Sequence, residues 1–230
     1  LAKKLPLLWQ KWTQGAAAVR ARIREEYAPS FMTFTTGRSA EPVPFFYSQH
    51  DLRTLRETGT RLVDVMGLEP DYRVANVFPY APHLAFWQVI FAGQATGMMA
   101  LSTGGGKVMG SSGDLRAIGR LRADALIGVP GYVYHLLRRA AAERLDLSSV
   151  RCVVLGAERV PPGLKTKLVA LLEEVGAKNV RVFGTYGFTE ARMAFAECPT
   201  KDNAYTGYHL YPDLAIFEVV DPRTGEVLPD

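Results

Sequence analysis

The chain has 230 residues, 48% of them hydrophobic and 22% charged, with a formal net charge of +4. That is long enough for one large domain with a real core, and too apolar for a disordered chain. Its basic residues are scattered: Arg20, Arg22 and Arg24 in one segment, Arg116, Arg120 and Arg122 in a second, Arg138 and Arg139 in a third. No single basic stripe with interleaved aromatics forms, so the expectation is no nucleic-acid partner, and the mild positive balance fits small anionic ligands or no ligand at all. The two cysteines, Cys152 and Cys198, make no disulfide framework. With an opening stretch that lacks the apolar core and cleavage site of a signal peptide, they lead us to expect a cytoplasmic protein.

In chain order, the first thirty residues read as helical and peripheral, giving an N-terminal segment over 1–32. An α/β core is expected over 33–212. Seven short apolar runs read as strands: Val43–Tyr47, Val74–Phe78, Met98–Leu101, Ala125–Val129, Val150–Leu155, Val180–Phe183 and Leu214–Val220. Most are continuous rather than alternating, as in strands covered on both faces. Leu52, Leu55, Leu62, Val63 and Met66 recur at helical spacing, with Ser48 and Asp51 as a capping box variant at the start and Gly67 as a stop. Between Leu84 and Gly106 no charge occurs. Gln88, Gln94, Thr96, Ser102 and Thr103 interrupt that run, which therefore reads as a buried helix and strand rather than a membrane span. Tyr132, Leu136, Leu137 and Ala140 mark another helix. Leu164, Leu168, Leu171 and Leu172 mark the next, with Pro161 and Pro162 at its start and Gly176 at its exit. Strands alternating with helices predict a mainly parallel sheet flanked by helices. Residues 213–230 change character, reading as a strand, a turn at Pro222–Gly225 and a second strand that begin a further β subdomain. The chain opens on Leu and closes on Gly-Glu-Val-Leu-Pro-Asp, and reads as a piece of a longer protein.

In sheets of this kind ligands gather at the carboxyl ends of strands. One such end is Gly184–Glu190. Its glycines let the backbone approach a ligand, Tyr186 is placed to lie on a planar base, and Thr189 with Glu190 suits phosphate plus Mg²⁺. A strand-to-helix turn with Thr189 and Glu190 as caps is the equal alternative. A second strand end is Gly156, followed by Ala157 and Glu158, where an ordinary strand end is the simpler reading. A third place is the run Thr35-Thr36-Gly37-Arg38-Ser39, whose hydroxyls and backbone N–H groups suit phosphate oxygens. It is not a Walker A loop, and neither is Ser102–Gly110, where Val108 stands in place of the required Ser or Thr.

Taken together and in this order, these segments resemble the adenylate-forming (acyl-CoA synthetase) superfamily, and within it the phenylacetate–CoA ligase and coenzyme F390 synthetase-like branch. Thr35 to Pro42, TTGRSAEP, aligns without a gap on that family's Ser/Thr-Ser/Thr-Gly-Thr-Ser/Thr-Gly-Lys/Arg-Pro loop. Gly156-Ala157-Glu158 matches its second segment, and Tyr186-Gly187-Phe188-Thr189-Glu190 its third. Residues 212–230 resemble the stretch before its hinge. The resemblance spans about residues 30–230. It implies the large N-terminal domain of an ATP-dependent acid–CoA ligase. In such an enzyme a carboxylate attacks the α-phosphate of ATP, and a thiol, usually that of coenzyme A, then displaces AMP. It further implies Glu190 on Mg²⁺, Thr189 on the α-phosphate, Tyr186 and Gly187 with Gly156, Ala157 and Glu158 around the base, and Tyr80, His83 and Phe86 in a pocket for an aromatic or otherwise apolar acid. A homodimer comes with the resemblance, and no membrane partner does.

The loop departs from the family pattern at three places. Arg38 replaces Thr, Ala40 replaces the second Gly, and Glu41 replaces Lys or Arg. Glu41 puts negative charge where a cation would help hold pyrophosphate, and the Arg38 guanidinium offers donors from a new position. Two alternatives follow: a catalytically altered protein that binds an adenylate or an acid, and an adenylating enzyme that passes its acyl group to a carrier-protein thiol. The fragment alone is expected to be inactive, because the aspartate for the ribose and the small domain with its adenylation lysine lie beyond Asp230 in the family. The resemblance also suggests zinc on Cys198 and His209, two of the four ligands a structural zinc needs.

Overall fold

The structure, a computed structural model, describes residues 5–35, 41–200 and 202–229. The expected phosphate-loop residues Thr36, Gly37, Arg38, Ser39 and Ala40 lie outside the described residues. Helices α1 (Leu5–Gln14) and α2 (Ala16–Tyr27) come first, and of α2 only Val19 is buried. Strands β1 (Phe31–Phe34) and β2 (Pro44–Tyr47) pair antiparallel. Then follow α3 (Gln49–Met66), β3 (Arg73–Asn76), α4 (Leu84–Thr96), β4 (Met99–Ser102), α5 (Gly110–Leu121), β5 (Ala125–Gly128), α6 (Pro130–Ala142), β6 (Cys152–Leu155), α7 (Pro162–Glu174), β7 (Arg181–Phe188), one 3₁₀ turn (Thr189–Ala191) and β8 (Met193–Ala196).

A six-stranded sheet runs β4-β3-β5-β6-β7-β8. Its first five strands are parallel and β8 returns antiparallel along β7. Alternate side chains along each strand point to opposite faces. Ala75, Val77, Leu126, Val153, Leu155 and Val182 pack on α5, α6 and α7. Val74, Ala125, Ile127, Cys152, Val154 and Phe183 pack toward α3 and α4. Covering both faces accounts for the continuous apolar runs, as expected for a mainly parallel sheet. At about 25 cal/mol per Å², each fully buried Leu or Val adds on the order of 2 kcal/mol, and over forty hydrophobic residues are buried.

Helix α3 is locally well specified. The Ser48 hydroxyl accepts the Asp51 N–H, and the Asp51 carboxylate accepts the Ser48 N–H in return. Gly67 ends the helix in the left-handed region at φ +57°, and the Arg181 guanidinium covers the freed carbonyls of Met66 and Gly67. Burial tends to raise the Asp51 pKa, but hydrogen bonds from Ser48 and the neighbouring Arg192 outweigh it and hold the carboxyl below its ordinary value.

Two expectations need correcting. Leu214–Val220 is not a strand. Leu214 and Ala215 pack on Met193, Phe195 and Tyr211, and beyond them Ile216 is 91% exposed. The turn expected at Pro222–Gly225 is present, closed by the Val220–Val227 bridge, by backbone hydrogen bonds from Asp221 to Glu226, from Gly225 to Asp221 and from Leu228 to Val219, and by the Asp221 carboxylate, which accepts the Arg223 and Thr224 N–H groups. Among the described residues no neighbouring strand offers the segment a ladder. Glycine-rich α5, Gly110–Leu121, was also unforeseen.

Candidate active site

The carboxyl ends of the parallel strands converge on the apolar face that carries α3 and α4. A cavity of about 390 Å³ opens there. Its mouth is formed by Thr35, His83, Gly156, Ala157, Thr185, Thr189 and Glu190, and its walls by α3, α4 and the strands.

The first component is the neck of the predicted phosphate loop. Thr35 closes the β1–β2 hairpin: its N–H donates to the Val43 carbonyl at 3.1 Å and its hydroxyl accepts the Val43 N–H at 3.0 Å. The end of β1 is pinned to the start of α4, because Phe34 N–H donates to Pro82 O at 2.7 Å. His83 Nδ1 lies 3.2 Å from the Phe34 carbonyl oxygen, a distance at which Nδ1–H donates to it. The loop neck and His83 therefore reach the cavity together.

The second component is the end of β6. Gly156 is buried, and a Cβ there would fall 2.6 Å from Thr185 Oγ1, closer than real side chains pack. Glycine is required so that Thr185 can donate its hydroxyl to Leu155 O at 2.9 Å across the two strands. Ala157 follows in the left-handed region at φ +67°, a conformation that costs a non-glycine residue about 1 kcal/mol. Strain of this kind gathers at ligand sites. Glu158 is exposed and lies outside the cavity lining.

The third component differs from the expected strand-to-helix turn. Strand β7 runs through Gly184, Thr185, Tyr186 and Gly187 to Phe188, and Thr189–Ala191 is the turn of a hairpin into β8. Thr189 and Glu190 cap no α-helix and are left at the cavity mouth. Arg192, in the left-handed region, closes the turn and reaches back to Asp51 at 2.6 Å, tying the hairpin tip to the α3 capping box. Tyr186 is half-exposed and does not line the cavity. Its ring lies 5.6 Å from that of Tyr208 and 5.7 Å from that of Phe188.

Of the three aromatic candidates for the acid pocket, the structure brings His83 to the cavity. Phe86 is buried in the core. Tyr80 is exposed and packs edge-on against Phe86 at 5.2 Å. Sequence reasoning missed the residues that line the depth of the cavity, among them Met66, Ala92, Gly93, Met98 and Ala100. It also missed a buried ion pair behind the site. Lys165 Nζ on α7 sits 2.6 Å from Glu197 Oε2, which accepts the Gly184 N–H as well.

The Cys198 sulfur lies 3.7 Å from His209 Nδ1. Among the described residues no three His, Cys, Asp or Glu side chains form a metal-binding group. Two donors do not complete a structural zinc site, and none is assigned here. Glu190 suits Mg²⁺ better, since that ion takes one or two carboxylates and keeps water or phosphate oxygens for its remaining positions. No helix among the described residues is long and apolar enough to cross a membrane.

The profile of the AMP-binding enzyme family matches residues 7–230. The chain belongs to the AMP-binding enzyme family. Two relatives are phenylacetate–coenzyme A ligases: that of Thermus thermophilus is 24% identical over 199 residues and that of Pseudomonas putida 22% over 200 residues. Each match covers 85% of this chain but only 42% and 43% of the relative. The AMP-binding chain thus spans less than half the length of these relatives. Among solved structures, an open conformation of 2-hydroxyisobutyryl-CoA ligase in complex with 2-HIB-AMP and CoA superposes with a TM-score of 0.72 at 22% identity, over 87% of this chain and 45% of that one. A long-chain-fatty-acid–CoA ligase from Archaeoglobus fulgidus gives 0.71 at 18% identity, over 89% and 40%. At these identities the structural likeness establishes the fold, that of an AMP-binding enzyme's mainly parallel sheet flanked by helices.

Proposed function

We propose that the full-length protein is an ATP-dependent, AMP-forming acid–thiol ligase acting on an apolar carboxylic acid. The observation that carries this reading is the convergence of Thr35, His83, Thr189 and Glu190 on the mouth of one apolar cavity, beside the close-packed Gly156–Thr185 strand ends. Polar groups at the mouth and apolar walls behind them suit a molecule with a charged head and a greasy tail. The phenylacetate–coenzyme A ligase relatives and the acyl-CoA ligase structures support the same reaction class.

In the proposed reaction one carboxylate oxygen forms a bond to the α-phosphorus and pyrophosphate leaves with the electron pair of the broken P–O bond. A thiolate then bonds to the acyl carbon, and AMP leaves carrying the former carboxylate oxygen. Two anions must meet in the first step, so donors and cations have to offset their repulsion. Thr189 would donate its hydroxyl to the α-phosphate, and Gly156 and Ala157 would admit the nucleoside along the β6 end. Glu190 would hold Mg²⁺, which supplies charge neutralisation at the phosphates. Coenzyme A is the proposed thiol and small-molecule acid and nucleotide the proposed partners. A homodimer and a cytoplasmic location remain part of the proposal.

A second reading has a specific observation behind it: Ala40 and Glu41 stand where the family loop has glycine and a cation. On that reading the protein holds an adenylate or an acid without turning ATP over. Pyrophosphate release by the full-length protein with ATP, Mg²⁺ and a panel of apolar acids separates the two. The ligase reading expects acid-dependent release that falls at least a hundredfold in Glu190→Gln. A folded protein that binds AMP but releases no pyrophosphate with any acid would favour the second.

A further inference from the structure

We infer that the acid-binding cavity is built for a long unbranched aliphatic tail rather than for a single aromatic ring. The inference deepens the ligase reading and rests on it for the identity of the head group. It comes from the length of the cavity and from what lines its deep half.

The length follows from the sheet register. Gly156, at the mouth, lies two residues beyond Val154, which is level with Ile127 and Asn76. Met98, in the lining of the deep end, lies one residue before the Arg73–Met99 pair. The cavity therefore runs along six residue steps of the parallel strands, about 20 Å at ~3.3 Å per residue. About a quarter of that belongs to the carboxylate and the phosphate it attacks. The rest, about 15 Å, accepts a zigzag chain of ten to twelve carbons, since ~1.5 Å bonds at the tetrahedral angle advance about 1.3 Å per carbon. Volume gives a similar figure. Three-quarters of the 390 Å³ holds about ten groups of the ~30 Å³ that a water-sized group takes in a liquid. A ring on a one-carbon linker reaches only about 7 Å by the same bond geometry. It would leave the deep half without contacts, and an unfilled apolar space forfeits its dispersion attraction.

The lining of the deep half supports the same conclusion. Helix α4 contributes Ala85, Ala92 and Gly93 to the lining, and Ala100, exposed on the edge strand β4, lies opposite Gly93. Two glycines make a telling contrast. Gly59 on α3 is demanded by packing, because a Cβ there would fall 2.8 Å from the Ala92 backbone. Gly93 is not, because its Cβ would meet Ala100 Cβ at 3.5 Å and Met98 O at 3.7 Å, ordinary contact distances. A glycine inside a helix costs about 1 kcal/mol against alanine, and packing gives no reason for it here. Its effect is to keep the deep half open.

The test uses the full-length protein, with unbranched acids from butanoate to hexadecanoate and phenylacetate as probes. Two readouts are taken: equilibrium dialysis of the labelled acid and acid-dependent ATP–pyrophosphate exchange. The variants are Gly93→Phe, which plugs the deep half, and Gly93→Val as a smaller plug should the first fail to fold. In the wild type, affinity is expected to rise about fourfold per methylene to an optimum at decanoate or dodecanoate. The plugs are expected to weaken dodecanoate at least tenfold, to move the optimum to hexanoate or shorter, and to leave phenylacetate within twofold. Phenylacetate as the best ligand, no rise with chain length, or equal weakening of every acid by the plugs would overturn the inference, even where exchange proceeds and the ligase reading stands. Dodecanoate binding that Gly93→Phe abolishes, without exchange for any acid, would uphold the tail site and defeat the ligase reading.

Discussion

Lys165→Met should be among the most destabilising single changes in this chain. The Lys165 side chain is 4% exposed and that of Glu197 2%. Glu197 Oε2 accepts both the ammonium and the Gly184 N–H, while its Oε1 has no partner. Removing the cation strands a buried carboxylate on one backbone donor. Breaking a buried pair in this way costs about 3–5 kcal/mol, against less than about 1 kcal/mol for a solvated pair. Removing both charges is a different perturbation. Lys165→Met with Glu197→Gln keeps volume without a charge to desolvate, and such replacements are often close to neutral. The double variant is expected within about 2 kcal/mol of wild type, leaving a coupling of about 2 kcal/mol or more. Denaturant unfolding followed by circular dichroism on all four proteins measures this, with equal slopes confirming that midpoints can be compared. A Lys165→Met cost below about 1 kcal/mol would refute the reasoning, because the pair would then behave as a solvated one. The pair also holds Gly184 one residue before Thr185, so Lys165→Met should weaken nucleotide binding in whatever fraction remains folded.

Three further outcomes are expected. Asp51→Ala removes the acceptor for the Ser48 N–H and the Arg192 partner, costing about 1–2 kcal/mol. Because the folded Asp51 pKa is depressed below 3.8, that stabilisation is present above the unfolded value and is lost as pH falls through the folded one; melting curves of the two proteins should therefore differ at pH 7 and draw together only as pH falls below 3.8. Gly156→Ala pushes the Thr185 hydroxyl off Leu155 O and should weaken AMP at least about tenfold by titration calorimetry, roughly 1.4 kcal/mol, with unchanged affinity arguing against nucleotide at this strand end. Burial raises the Cys152 thiol to about 12, so iodoacetamide at pH 8 should label Cys198 and reach Cys152 only on unfolding; mass spectrometry of the native protein showing modified Cys152 would contradict its burial.

Much of this fold was legible from local signals. The Ser48–Asp51 box and Gly67 bound α3 as expected, because capping is decided by residues within one turn. The parallel strands showed as apolar runs because both faces are covered. What was not legible depended on partners distant in the chain. Strand β8 is four residues beside β7, and its sequence alone did not separate it from a helix following Thr189 and Glu190. Helix α5 carries Gly110, Gly113 and Gly119, each weakening the helical signal. Leu214–Val220 has the strand composition but lacks a neighbouring ladder among the described residues. Nothing local to α7 signals the role of Lys165, because its partner Glu197 is 32 residues away in the chain. At the site, the order of the Thr35, Gly156 and Thr189–Glu190 segments pointed to the nucleotide end. The depth of the acid cavity did not show, since it arises from small residues of α4 and β4 that face each other only in three dimensions.

The central claim, that a carboxylate oxygen bonds to the α-phosphorus at the Thr189–Glu190 mouth, has a direct test. The full-length protein would be turned over with ATP, coenzyme A and an apolar acid carrying oxygen-18 in its carboxylate, and the AMP product analysed by mass spectrometry. One labelled oxygen in AMP is the predicted result, because the acyl carbon gives up that oxygen when the thiol displaces AMP. Thioester formation that leaves AMP unlabelled would contradict the acyl-adenylate route.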